Sequence, residues 1–164
     1  MQKVNVRRII KDHLAAIRGV EESGGQVRVL LRFWLPVFSL AAALACARPV
    51  TGDLGRALVY VCLVLAFALT NGLFHLLRIS SSSSGRGSQM EQRAALLKAA
   101  HAHLSFSLLL AIITPMLSLG YLIIAPGRAW AVPYSFAIYV LAGALSSAVL
   151  AFLCRLQALV RMEL

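Results

Sequence analysis

The chain has 164 residues, of which 60% are hydrophobic and 13% charged, and its mean hydropathy is +0.80. A soluble domain is about 45–50% apolar and about 25% charged, so too little polar surface remains here to cover a water-soluble globule, and a bilayer is the natural solvent. The formal net charge of +10 is therefore informative by position rather than as a sum.

The N-terminal stretch VNVRRIIKDHLAAIRGV places Val6, Ile10, Leu14 and Ile17 at helical spacing, with Lys3, Arg7, Lys11 and Arg18 mostly on the other side. This predicts a basic amphipathic helix within residues 1–27. Such a helix suits either anionic headgroups or a soluble cytoplasmic partner. Lys3, Arg7, Arg8, Lys11 and Arg18, together with Arg28 and Arg32 beyond this stretch, are the expected contacts with either one. No stacking aromatics are interleaved with these basic residues, which argues against nucleic acid.

Residues 28–164 read as the membrane domain. Four apolar segments, 29–47, 57–77, 104–125 and 129–153, have roughly the 20 residues that a helix needs to cross a hydrocarbon core of about 30 Å. Backbone groups in lipid must be satisfied within each segment, so all four are expected to be helical. The fold class that follows is all-α: an integral membrane four-helix bundle with amphipathic cytoplasmic helices. In the first segment Arg28 and Arg32 are placed to snorkel, with Trp34 as an interfacial anchor. An A-x-A pattern at Ala45 and Ala47 suggests a signal-peptide cleavage site, but the 28 residues before the segment contain acids and exceed a normal basic n-region. Retention as a membrane helix is expected.

Between the second and third segments lies a polar connector, 78–103, with five serines from Ser80 to Ser84 and the glycines Gly85 and Gly87. A second, weaker amphipathic helix is expected to close it over MEQRAALLKAAHAHL, where Met90, Ala94, Leu97 and His101 line one side. Thirteen basic residues (Lys3, Arg7, Arg8, Lys11, Arg18, Arg28, Arg32, Arg78, Arg86, Arg93, Lys98, Arg155 and Arg161) fall on the side that holds both termini and this connector. Three (Arg48, Arg56 and Arg128) fall on the other. This asymmetry predicts that both termini are cytoplasmic, most simply in a bacterial inner membrane.

A faint repeat accompanies this layout. Pro36 and Pro115, each followed by a Ser-Leu three residues on, and Tyr60-Val61 and Tyr139-Val140 are both 79 residues apart. A tandem two-helix duplication would produce that offset, with the halves related by an axis along the membrane normal. Each proline removes a helical hydrogen bond and is expected to bend its span, with Thr114 near enough to serve a freed carbonyl.

The candidate functional residues are few. Small residues recur at four-residue spacing in the last segment, pairing Ala142 with Ser146, Gly143 with Ser147 and Ala144 with Ala148. They invite close approach by another helix, with the SLAAALACA run of the first segment as one match. Asn71, with Thr70, is the most polar point inside a span. It is expected to bond another helix or, with Ser118, Ser146 and Ser147, to line a path. His75, His101 and His103 sit near the cytoplasmic ends of two segments, as a haem b or metal site would require. His101 and His103, however, are about 200° apart on a helix. Cys46, Cys62 and Cys154 have no disulfide or zinc spacing.

All six acids (Asp12, Glu21, Glu22, Asp53, Glu91 and Glu163) lie outside the spans, and no catalytic motif occurs. The sequence therefore implies no enzyme, no metal site and no resident cofactor. The leading expectation is a non-enzymatic membrane subunit that forms homo-oligomers, anchors a soluble cytoplasmic protein, or both. An oligomeric pore or holin-like effector is the alternative, and a haem-binding anchor of an electron-transfer complex is the lesser one.

Overall fold

A computed structural model of the chain describes residues 6–18, 26–81, 88–124 and 128–163. These form five helices, and no strand occurs among them: α1 (Val6–Arg18), α2 (Gln26–Ala47), α3 (Gly52–Ser81), α4 (Ser88–Ile124) and α5 (Arg128–Glu163). Three stretches, Gly52–Leu76, Glu91–Ile124 and Trp130–Val160, are long and apolar enough to cross a membrane. The first expected segment differs. Its uninterrupted apolar part is Trp34–Ala47, shorter than the other three, because Arg28 and Arg32 interrupt the run that precedes it.

The connector expected over 78–103 is helical over most of its length. α3 runs on to Ser81, and α4 begins at Ser88 and enters its span without a break. Ala, Leu, Lys and Gln between 90 and 104 are strong helix formers, and nothing there ends a helix. The amphipathic stretch and the third segment are thus one helix of 37 residues. Residues 82–87, with the remaining serines and both glycines, lie outside the described residues, as does Lys3.

The helices sort into two compact units. The first draws on α1, on α3 from Leu69, on α4 up to Leu108 and on α5 from Ser147. Its buried residues include Leu69, Leu76, Ala100, Leu104, Ala148, Phe152 and Leu159. At Gly72 the α3 backbone comes close to Phe152, and a Cβ there would stand 3.6 Å from the ring.

The second unit draws on α2, on α3 up to Ala68, on α4 from Leu109 and on α5 up to Ser146. It buries Ala41, Ala45, Cys62, Ala111, Ile138, Ala144 and Leu145. Here α2 meets α5 at Val37 and Gly143, where a Cβ built on the glycine would fall 2.9 Å from Val37 Cγ1, and Phe38 stacks on Phe136 at 6.4 Å. Lipid tails are as apolar as the side chains, so attraction between spans comes from such close packing and from hydrogen bonds.

The short turn between α2 and α3 is tied to α5 from both sides. The Tyr139 hydroxyl donates to the Arg48 carbonyl at 2.8 Å, and the Val50 N–H donates to the buried Ser135 Oγ, also at 2.8 Å. These bonds satisfy two backbone groups of the turn that belong to neither helix. Thr51 then caps α3, with its Oγ1 accepting from Leu54 N–H at 3.4 Å, and Asp53 in the first turn pairs with Arg56 at 2.8 Å.

The positions matched by the 79-residue offset have different surroundings. Pro36 is exposed and Pro115 buried, while Tyr60 is exposed and Tyr139 is engaged with the α2–α3 turn. Thr114 does not serve the carbonyl that Pro115 leaves free. Proline lacks the N–H that would reach Ala111, whereas Thr114 Oγ1 donates to Leu110, one residue earlier.

Candidate functional site

The face that α1 turns inward runs through Ile9, His13, Ala16 and Ile17. Val6 and Ile10, half of the apolar stripe read from the sequence, stay exposed. His13 is 4% exposed and meets His103 of α4, which is 2% exposed, with their Nδ1 atoms 3.0 Å apart. The rings meet edge-on, 4.8 Å between centroids, and His13 also stacks on Phe106 at 3.9 Å. A neutral imidazole has one N–H, so in this bond one ring donates from Nδ1 and the other accepts there with its own proton on Nε2. Burial, and then the neighbouring His103, push the His13 pKa down from 6.5 to about 4. Half-buried Arg155 of α5 places a positive charge near His103, so the pair sits in surroundings hostile to a further cation.

The three histidines singled out in the sequence are not brought together. His75 is exposed. His101 is exposed and bonds Ser105 of its own helix at 3.3 Å, while His103 is committed to His13. Among the described residues, no group of three or more His, Cys, Asp or Glu side chains is placed to hold a metal ion. The sequence reading missed His13, although a signal was present: it lies one helical turn from Ile17 and from Ile9, inside the apolar side of a basic helix. Ser135 and Tyr139, which tie down the α2–α3 turn, were missed as well. Their partners are backbone groups 85 and 91 residues away.

The remaining polar candidates mostly bond within their own helices. Ser107, Thr114, Ser118 and Ser146 each donate to the carbonyl four residues earlier, at 2.7–2.9 Å. Ser118 is buried and Ser146 exposed; Ser147 is half-buried. Of the small residues in α5, Gly143 receives Val37, Ala144 and Ala148 are buried, and Ala142 is half-buried. Arg7, Arg8 and Lys11 are exposed, with Arg8 3.8 Å from Asp12. The side chains of Arg18, Arg28 and Arg32 lie outside the described residues.

Comparisons with protein-family models, curated proteins and solved structures found no match. What the chain does must therefore be argued from its own surfaces.

One surface stands out. Tyr60, Val64, Phe67, Asn71 and Phe74 follow one another along α3 at alternating spacings of four and three, which puts them within about 80° of each other on a helix. All five are exposed: Tyr60 68%, Val64 69%, Phe67 73% and Phe74 66%, with Asn71 and its neighbour Thr70 in the same class. Within its span α3 is the least covered helix, 11% buried against 33% for α4 and 28% for α5.

Proposed function

We propose that this protein is a non-enzymatic, multi-pass membrane subunit that self-associates through α3. The observation that carries the reading is the heptad-spaced, exposed face Tyr60, Val64, Phe67, Asn71 and Phe74 on the least covered of the three long apolar helices. A 4–3 repeat keeps one line of side chains facing a partner helix along the whole contact. Two copies of α3 related by a twofold axis present the same line to each other. Asn71 sets a primary amide, with two N–H donors and an acceptor oxygen, among the apolar side chains of that line. Three aromatics seven residues apart supply the area.

The same reading includes four crossings. α2 has 22 residues, about 33 Å of helix at 1.5 Å per residue. Val37 beside Gly143 and Arg48 beside Tyr139 place α2 antiparallel to α5, which supports a fourth passage through the bilayer. The basic asymmetry then favours a cytoplasmic side that holds α1, the 82–87 connector and both chain ends. There the outward face of α1, with Val6 and Ile10 beside Arg7, Arg8 and Lys11, suits an anionic bilayer surface.

Cysteine cross-linking in liposomes tests the self-association. In a background of Cys46→Ser and Cys154→Ser, Val64→Cys or Phe67→Cys should yield a covalent dimer under mild oxidation. Ile123→Cys, on an exposed position of α4, should not. Equal yields from the α3 positions and Ile123→Cys would remove the basis for the reading.

A further inference from the structure

We propose that His13 and His103 form an acid-sensitive latch that holds α1 on α4 while both rings are neutral and releases it when they take up protons. This goes beyond self-association through α3 and does not depend on it.

The geometry sets the condition. A single hydrogen occupies the 3.0 Å gap between the two Nδ1 atoms. The first added proton goes to Nε2 of the donor ring and keeps that bond, because an imidazolium can donate to a neutral partner, but it leaves a cation on rings that are 4% and 2% exposed. The second makes both nitrogens donors, so two N–H groups point at each other across the same gap. The groups that face the pair offer no relief. α4 supplies Phe106, stacked on His13, and Ser107, whose hydroxyl is already committed to the His103 carbonyl. α5 supplies Arg155, a second positive charge. On α1 itself Arg7, Lys11, and Arg8 with its partner Asp12 are exposed. His101 on α4 is turned to Ser105.

When α1 leaves, both imidazoles can be hydrated and the penalty disappears. The sign follows from linkage. The docked pKa of His13, about 4, lies below the ordinary 6.5, so the undocked state binds more protons between those values. Docking is therefore strongest above pH 6.5 and is lost progressively as the pH falls toward 4. For His13 alone these two pKa values raise the undocking equilibrium constant about 20-fold between pH 7 and pH 5. The released helix also carries a positive charge that the docked one lacks, added to those of Arg7, Arg8 and Lys11. Its attraction to anionic surfaces rises as it comes free.

The test uses the full chain in nanodiscs of neutral lipid at constant ionic strength. Spin labels are placed at Ala15→Cys, an exposed site on α1, and at native Cys154, exposed on α5 in the same unit, with Cys46→Ser to remove a third label. Distances are measured by pulsed electron resonance at pH 7.5, 6, 5 and 4. The expected result is a narrow distribution at pH 7.5 that broadens reversibly on acidification. His13→Phe keeps a flat ring against Phe106 but cannot titrate; because the other imidazole stays buried in each case, His13→Phe and His103→Phe should each weaken the pH dependence, and the double variant should abolish it. A wild-type distribution unchanged from pH 7.5 to pH 4 would overturn the proposal. So would an acid transition of wild-type size that survives in both phenylalanine variants.

Discussion

Replacing Gly143 with alanine tests the α2–α5 packing directly. The added Cβ would lie 2.9 Å from Val37 Cγ1, closer than carbon atoms approach in folded proteins, and Val37 has little freedom to retreat. A β-branched side chain in a helix has one strongly preferred rotamer, so the strain passes to the two backbones. Overpacking by one methyl typically costs about 1–3 kcal/mol. The intrinsic helix preference of alanine over glycine returns about 0.5–1 kcal/mol, which leaves a net destabilisation of about 1 kcal/mol. Val37→Ala removes the obstructing methyls and by itself loses packing worth about 1 kcal/mol. In the double variant the clash no longer exists, so the two costs should fall short of adding by about 1 kcal/mol or more. Reversible unfolding in mixed micelles with increasing SDS, run on the four corners of this cycle, measures the coupling. Strict additivity would mean that Val37 and Gly143 do not touch, and the α2–α5 contact would have to be abandoned.

Ser135→Ala leaves the Val50 N–H buried without its acceptor and should destabilise the chain by about 1–3 kcal/mol. Tyr139→Phe, at the more exposed bond to Arg48, should cost about 0.5–1.5 kcal/mol; the same SDS titration reads both. Protection of the α1 amides from hydrogen exchange, corrected for intrinsic rate, should fall between pH 7 and pH 5. The docked His13 pKa of about 4 is depressed from 6.5, so its contribution is full above pH 6.5 and weakens by about 2 kcal/mol over that interval. Protection that stays constant or rises on acidification would contradict this sign. Tags at residue 1, near residue 84 and at residue 164 should all be accessible from one side of the membrane. Residue 1 on the opposite side from residue 84 would mean that α2 does not cross.

How much of this was legible beforehand depends on the length scale of the cause. Three spans follow from long uncharged apolar runs, a local property that a lipid solvent makes decisive. The continuity of α4 through the expected connector is also local. The helix itself was expected over MEQRAALLKAAHAHL; its fusion with the span was not, because the stretch was read as a separate amphipathic helix on the membrane surface. The inward face of α1 was harder to see. Periodicity identifies an apolar side, but at a membrane surface both protein and lipid can take up apolar residues, so it does not say which side a neighbouring helix covers. His13 is the case in point. Its partner His103 lies 90 residues away, and nothing near either residue announces the other. The small residues of α5 marked a contact surface, while the choice of Val37 to occupy it depended on the relative position of two helices, which no single segment encodes.

The bonds from Val50 to Ser135 and from Tyr139 to Arg48 also bear on how the chain is made. Synthesis proceeds from the N-terminus, and both partners on α5 emerge more than eighty residues after the turn they secure. The turn between α2 and α3 therefore stays unfastened until α5 has been made. A ribosome that halts before residue 135 would leave this early hairpin without either bond.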